Sequence, residues 1–343
     1  MPFSPQQFLR TGRSLGVSEQ ILQAAILRAD RITRHRSDRA VVFTLGHLAV
    51  LSGVHYKTLR NWVGRWGPEP YRQFFLSKTP DRRRTAPAAS RPMRRIAVPA
   101  PALMAEQRWL LERILHTAPQ HAASVAFHRK SDIVDAARLH CGCRWLIKLD
   151  VRDFFESIYE PAVFRVFQDL GYAPLLAFEL TRLCTRVKPD QDEAPGDAGM
   201  TRDLVGRGVP AYERIKLGPP APWGRSRSLH PSDRAVEMRR YDMGGRLALP
   251  MGSLPQGAPT SPLLANLAVR TMDERISKIA ADYGLVYTRY ADDIALSTAD
   301  KAFDREKAGE VIGKVFYELD RQGLRPHQAK TRIVPPGARK IVL

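Results

Sequence analysis

Cysteines and long apolar runs are scarce in this chain, and both shortages narrow the protein classes to which it can belong. The 343 residues include three cysteines, Cys141, Cys143 and Cys184, which are too few for a disulfide framework and lack the paired spacing of a structural zinc site. No stretch approaches the roughly 18 uninterrupted apolar residues of a membrane-spanning helix. The first residues lack the basic and apolar regions of a signal peptide. We therefore expect reduced thiols, no membrane partner and a cytoplasmic location.

Acidic residues are also scarce relative to basic ones. The chain contains 54 Lys and Arg against 35 Asp and Glu, which gives a formal net charge of +19. This excess favours a polyanionic partner, because Lys and Arg that neutralise phosphates release bound counterions. A hydrophobic content of 44% is ordinary for a globular protein, and 343 residues suffice for a large core in two or three subdomains.

Two of the scarce acids are adjacent at a predicted hairpin. The sequence Tyr-Ala-Asp-Asp at 290–293 lies between 286–289 and 294–297, where alternating apolar and polar residues predict two strands. Adjacent carboxylates repel each other, which is tolerable in water and useful where a divalent cation binds them. Asp is also a common turn residue for local hydrogen-bonding reasons. The turn alone therefore leaves a metal site and an ordinary turn as alternatives.

A third acid follows a predicted buried strand. Residues 145–155 read as an apolar strand with Asp150 near its end, running into Phe154 and Phe155. If the fold brings Asp150 beside Asp292 and Asp293, the three can hold two Mg²⁺ ions roughly 3.5–4 Å apart, the arrangement used for in-line nucleotidyl transfer.

Between these acids lies a turn-rich loop, Leu-Pro-Gln-Gly-Ala-Pro-Thr-Ser-Pro at 254–262, followed by a helical pattern. The three segments, in this order, resemble the palm motifs of bacterial reverse transcriptases of the retron and group II intron type. Weaker matches extend the resemblance over about residues 71–342, at 71–74, 94–99, 107–111, 323–324 and 330–331. The resemblance implies an α+β right-hand polymerase core, with fingers, an antiparallel palm sheet with helices, and a helical N-terminal element.

The resemblance also suggests a division of the chain. We expect a helical N-terminal element at 1–70, fingers at 71–145 and a palm at 146–343. The palm would contain a Gly-, Pro- and Arg-rich insertion at 187–250, for which contact with template phosphates and disordered surface are the alternatives. The chain ends inside the expected primer-gripping segment, so a thumb is expected to be absent. Residues 45–63 resemble a helix-turn-helix whose second helix carries Lys57, Arg60 and Asn61. We expect a polymerase-associated element there, with a DNA-binding regulator as the alternative.

The family pattern implies roles for the acids. Asp150 and Asp292 would bind two Mg²⁺ ions, the Val151 carbonyl would complete one coordination shell, and Asp293 would be a ligand or an electrostatic support. The same pattern leaves Asp153 outside the metal site, as a surface or capping acid.

The pattern also implies nucleotide contacts. Phe155 would pack beneath the sugar and exclude a ribose 2′-hydroxyl, although either Phe154 or Phe155 must face inward as a core aromatic. Gln256 would contact the nucleotide near its sugar, and Gly257 would allow close backbone approach.

Phosphate contacts are expected from the fingers. In the basic loop at 78–95, Arg94 and then Lys78 are the positions that best match a contact with the incoming triphosphate, although a charge run is usually only a solvated face. Lys330 is expected near the leaving pyrophosphate.

The resemblance thus implies an RNA-directed DNA polymerase that uses an RNA template, a DNA product and deoxynucleoside triphosphates. It implies a retron or related phage-defence setting, with a structured non-coding RNA and an effector protein as further partners. The alternatives are a catalytically weak nucleic-acid-binding protein with the palm as scaffold, and a transcription factor led by residues 45–63.

Overall fold

The computed structural model describes residues 3–77, 93–127, 133–187 and 251–341. Four helices come first: α1 (Pro5–Ser14), α2 (Glu19–Thr33), α3 (Leu45–Ser52) and α4 (Tyr56–Gly64). Then follow β1 (Tyr71–Ser77), β2 (Met93–Pro99), α5 (Pro101–Arg113), α6 (Ile133–Arg138), β3 (Trp145–Arg152), α7 (Glu160–Asp169) and α8 (Pro174–Cys184). After residue 250 the described elements are α9 (Ser261–Ala268), α10 (Arg270–Asp282), β4 (Val286–Tyr290), β5 (Asp293–Thr298), α11 (Arg305–Arg321), β6 (Arg325–Pro326) and β7 (Arg332–Val334).

The α3–α4 helix pair is built by local signals and then anchored to the palm. The Thr44 hydroxyl caps α3 by accepting from His47 N at 3.1 Å, and Gly53 ends that helix with a left-handed φ of 76°. Leu59 on α4 is fully buried, and α4 packs against α8. The predicted helix-turn-helix is therefore a helix pair whose second helix has its apolar face occupied by the palm.

Strands β1 and β2 form an antiparallel hairpin in the predicted fingers, with Tyr71 opposite Pro99. The backbone of β2 also contacts the turn-rich loop, since Ala97 N donates to the Gln256 carbonyl at 2.7 Å. This bond connects the hairpin to the segment that precedes α9.

The palm sheet has the strand order β4-β5-β3-β6, with β7 also pairing with β3, and all of its pairs are antiparallel. Strand β3 is central, and its Ile147, Leu149 and Val151 are all buried. These side chains belong to one core that also includes Leu263 of α9 and Val311 of α11. The predicted strands at the acid motifs are confirmed, as is the α+β fingers-palm fold class with an antiparallel palm sheet.

The predicted insertion falls almost entirely outside the described residues, which stop at 187 and resume at 251. Its two flanks pair with each other: Arg186 N donates to the Ser253 carbonyl at 3.0 Å, and Ser253 N donates to the Arg186 carbonyl at 2.9 Å. In the described ranges, no helix combines the length and the apolar character needed to cross a membrane.

Candidate active site

Antiparallel strand pairing brings the three predicted acids to one edge of the palm sheet, which we call the acidic edge. Asp150 near the end of β3 lies directly opposite Asp293 at the start of β5. The Val151 N–H donates to the Asp292 carbonyl at 2.9 Å. The residues predicted from distant parts of the sequence therefore meet because β5 pairs with β3.

The turn that carries Asp292 is tight and partly strained. Strand β4 ends at Tyr290 and β5 begins at Asp293, so the connection consists of Ala291 and Asp292. Ala291 has a φ of 54°, in the left-handed region that non-glycine residues seldom adopt. Such a conformation persists only where surrounding contacts hold it.

Burial and mutual repulsion both raise the pKa values of the acids at this edge. Burial raises the pKa of Asp292, and repulsion from Asp150 raises it further, while the charges of Lys330 and Arg94 lower it. The pKa of the more exposed Asp293 is raised by partial desolvation and then by repulsion from Asp292 and Asp150. The edge is therefore a place where added positive charge is favourable.

A lysine supplies part of that charge. Lys330 Nζ lies 2.7 Å from Asp150 Oδ2, and the lysine side chain is 56% exposed. In the part of the chain that the structure describes, no three His, Cys, Asp or Glu side chains are grouped so as to hold a metal ion. The oxygen donors nevertheless have the chemistry that Mg²⁺ prefers, and the Lys330 ammonium shows that Asp150 accepts a cation. The residues present thus fit a divalent cation in their donor chemistry.

An aromatic cluster borders the acidic edge. Phe154 is buried in the core, whereas Phe155 is half-buried and begins a 3₁₀ turn, Phe155–Ser157. The Phe155 ring lies 6.4 Å from that of Phe127, and Phe127 lies 6.2 Å from Tyr290 of the acidic hairpin. Of the two candidate phenylalanines, Phe154 is therefore the core aromatic, and Phe155 is the one whose ring joins Phe127 and, through it, Tyr290 of the acidic hairpin.

The turn-rich loop approaches β2 closely. Gly257 has a φ of 114°, and a Cβ at this position would lie 3.1 Å from the Ala97 carbonyl oxygen and 2.9 Å from Ile96 Cγ2. Glycine is therefore required by both backbone conformation and space. Gln256 lines a shallow depression together with Arg95 and Glu156.

The predicted phosphate contacts are only partly visible. Arg94 is exposed on β2, and its charge is felt at Asp292. Lys78 lies outside the described residues, so its role stays a prediction.

Asp153, the acid expected to lie outside the metal site, is exposed beyond the end of β3 with a φ of 46°. The structure thus brings Asp150, Asp292, Asp293, Arg94 and Lys330 together at the acidic edge.

A buried ionic cluster lies behind this edge and was not predicted from the sequence. Arg289 of β4 and Asp273 of α10 form an ion pair at 2.7 Å, and both side chains are 0% exposed. The available signal was a charged residue within a predicted strand, one position before the Tyr-Ala-Asp-Asp sequence. Its partner on a separate helix is not evident from local spacing.

Comparisons with known proteins agree with the resemblance that the sequence motifs indicate. A family model described as "Reverse transcriptase (RNA-dependent DNA polymerase)" matches residues 250–339. The retron Ec86 reverse transcriptase of Escherichia coli is 28% identical over 250 residues, covering 73% of this chain and 57% of that protein. The retron Mx162 reverse transcriptase of Myxococcus xanthus is 28% identical over 264 residues, covering 75% of this chain and 45% of that protein.

The chain thus spans about half the length of the curated relatives that it matches. A solved structure of telomerase from Candida albicans in complex with a fragment of telomeric RNA aligns at 13% identity with a TM-score of 0.38, over 73% of this chain and 42% of that one. The relatives confirm the predicted resemblance to bacterial reverse transcriptases of the retron type.

Proposed function

We propose that this chain, a relative of bacterial retron reverse transcriptases, is an RNA-directed DNA polymerase that acts by two-metal-ion nucleotidyl transfer. The observation that carries the proposal is the meeting of Asp150 with the Asp292–Asp293 hairpin at one sheet edge. That edge lies partly within the segment matched by the reverse-transcriptase model.

Asp150, Asp292 and Asp293, with the Val151 carbonyl, would hold the metal ions. When bound, the ions would lower the pKa of the primer 3′-hydroxyl and neutralise the charge of the triphosphate. The protein's own part is positioning and electrostatics. Lys330 neutralises Asp150 in the protein alone, and its exposed, flexible stem lets the ammonium move to a phosphate oxygen.

The neighbouring residues would select and hold the nucleotide. The half-buried Phe155 ring would exclude a ribose 2′-hydroxyl and so favour deoxynucleotides. Gln256 and Gly257 would contact the nucleotide from the loop beside β2, and Arg94 would contact its phosphates together with Lys78. An Arg at such a position suits phosphate because its planar group donates several hydrogen bonds.

The names of the relatives suggest a biological setting. Because they are retron enzymes, we propose that this chain works in a retron or a related phage-defence element. Its partners there would be an RNA template, a structured non-coding RNA and an effector protein.

The first test is primer extension on an RNA template with deoxynucleotides and Mg²⁺. Asp292→Asn and Asp293→Asn should each lower the extension rate at least about 10²-fold, because each weakens the charge that holds the ions. Asp153→Asn is the matched control, since it removes a nearby exposed acid at a left-handed position that Asn tolerates. Equal activity in wild type and Asp292→Asn would contradict the proposal.

A second candidate function has one observation in its favour. Lys330 bonds to Asp150 and so already neutralises one carboxylate of the acidic edge, an arrangement that suits a palm serving as scaffold in a nucleic-acid-binding protein. Such a protein would bind RNA with strong salt dependence but would not extend a primer. Tight RNA binding in the Asp292→Asn variant and in the wild type, with no extension by either, would favour this reading.

A further inference from the structure

Arg289 is a fully buried cation placed directly before the Tyr-Ala-Asp-Asp sequence. All five of its N–H donors are used. Nε donates to Asp273 Oδ1 at 2.8 Å, and Nη2 donates to Asp273 Oδ2 at 2.7 Å and to Ser124 Oγ at 3.1 Å. Nη1 donates to Asn266 Oδ1 at 3.1 Å and to the Ala291 carbonyl at 3.0 Å. The guanidinium therefore has one fully determined orientation.

These contacts connect the acidic turn to three separate parts of the fold. Asp273 lies on α10, Asn266 lies on α9, and Ser124 belongs to the segment after α5. The backbone of Arg289 strengthens the last connection, since its N–H donates to the Ala123 carbonyl at 2.7 Å and its carbonyl accepts from Val125 N at 2.9 Å.

Stability alone does not account for such a cluster. Moving an ion pair out of water is costly, and replacing a buried pair by apolar residues of similar volume is often neutral or stabilising. The bond to Ala291 is different in kind, because it holds the one residue of the turn with a left-handed φ. The next residue along the chain is Asp292, so the orientation of this peptide sets where that carboxylate lies.

We propose that Arg289 is a positioning residue for the acidic edge: through the Ala291 carbonyl it sets the geometry in which Asp292 and Asp293 meet Asp150. This inference rests on the proposed function. Its consequence for a polymerase is that the cluster acts on the catalytic step rather than on nucleotide affinity. Groups that orient metal ligands from behind typically change metal affinity or activity by about 10–100-fold when they are altered.

The test compares two variants of the same cluster in the full chain. Arg289→Lys keeps a positive charge for Asp273 but has one ammonium in place of the planar five-donor group. Tyr287→Phe is the matched control. The Tyr287 hydroxyl donates to Asp273 Oδ1 at 2.7 Å, so the variant perturbs the same cluster, but the bond from Arg289 to the Ala291 carbonyl is kept. Three quantities are measured: kcat and KM for deoxynucleotide, Mn²⁺ binding by electron paramagnetic resonance, and the melting temperature.

We expect Arg289→Lys to lower kcat about 10–100-fold and to weaken Mn²⁺ binding about tenfold, with KM within about threefold of the wild type. Tyr287→Phe should lower the melting temperature while leaving kcat and Mn²⁺ binding within about twofold. The inference is overturned if folded Arg289→Lys keeps both kcat and Mn²⁺ binding, or if both variants lose activity in proportion to their loss of melting temperature.

Two further outcomes also test the inference: a variant that does not fold, and a wild type that does not extend a primer. If Arg289→Lys does not fold, the combined replacement Arg289→Met, Asp273→Leu and Tyr287→Phe removes the buried charges together, and unchanged Mn²⁺ binding in it would overturn the inference. If the wild type binds Mn²⁺ but extends no primer, the polymerase proposal fails, and the positioning role is judged on Mn²⁺ binding alone. A wild type that neither binds Mn²⁺ nor extends a primer contradicts both.

Discussion

The acidic edge and the α3–α4 helix pair show two ways in which one chain builds structure. The helix pair is defined by neighbours in sequence, such as the Thr44 cap and the left-handed Gly53, and is anchored by an apolar face. The acidic edge is defined by residues far apart in sequence, with Arg289 bonded to Ser124 and Asp273 and its turn paired with β3. Local signals define where the two short helices begin and end, and packing then stabilises them. The acidic edge, by contrast, exists only in the folded chain.

The largest loss of stability is expected from a substitution that breaks the buried ionic cluster behind the acidic edge. Asp273→Ala leaves the Arg289 charge buried without its partner, which should lower the free energy of unfolding by about 3–5 kcal/mol. Glu274→Gln, at the next position of α10, removes only an exposed pair with Arg270 and should cost about 0.5 kcal/mol or less. Urea unfolding of both variants measures the difference. Equal losses of unfolding free energy in the two variants would show that the buried pair contributes no more to stability than the exposed pair, contrary to the prediction.

A somewhat smaller loss should follow from emptying the interface of the helix pair. Leu59→Ala removes a fully buried side chain on α4 and should lower the free energy of unfolding by about 2–5 kcal/mol through lost transfer energy and a cavity. Val50→Ala is the matched control, because Val50 on α3 is 81% exposed. Chemical denaturation monitored by tryptophan fluorescence compares the variants. A cost for Leu59→Ala no larger than that of Val50→Ala would mean that α4 does not depend on its packing against α8.

A weaker effect is expected on nucleic-acid affinity. Lys57 and Arg60 are exposed on α4, and we expect each to contact a phosphate. Lys57→Gln and Arg60→Gln should each weaken RNA binding and reduce the slope of log affinity against log salt by about 1, with kcat unchanged. Lys301→Gln, which alters an exposed lysine after β5, serves as a control. Salt slopes identical to the wild type would exclude the helix pair from the RNA contact.

The smallest expected effect concerns a histidine behind the palm sheet. The ring nitrogens of His140 lie 2.7 Å from Ser297 Oγ and 2.7 Å from Thr288 Oγ1. Burial lowers the pKa of His140 from its ordinary value of 6.5. Below about pH 6.5 the unfolded chain therefore binds a proton that the folded chain does not, and stability declines as the pH falls.

The measurement is the melting temperature of wild type and of His140→Gln between pH 7.5 and pH 5.5. The wild type should lose more stability over this interval than the variant, which lacks the titrating ring. The other titrating groups are common to both proteins, so a parallel decline would contradict the prediction.

Much of the acidic edge could be predicted from the sequence because its residues are adjacent to strong local patterns. The alternation around 286–297 predicted β4 and β5, and the apolar run before Asp150 predicted β3. The Ser-Pro signal predicted the start of α9 at Ser261. The resemblance then supplied roles that no local pattern contains.

Other features were beyond sequence reasoning for physical reasons. The bond between Lys330 and Asp150 depends on the chain returning to β3 after α11, and the Arg289 cluster depends on two helices and a loop meeting behind one strand. Which of Phe154 and Phe155 faces the core was likewise open, because the strand ends there and the 3₁₀ turn rather than strand alternation decides it.

The local features of this protein can be read from its chain: the strands and the helix beside the acid motifs, the acids that flank them, and the excess of positive charge. Periodicity, capping and turn residues act over a few positions, so these features are visible in the chain as written. Strand pairing and packing in the folded chain settle how the acids meet, which cation lies on Asp150, and what holds the turn before Asp292. These depend on strand register and on buried long-range hydrogen bonds, whose partners are chosen by packing rather than by proximity in sequence.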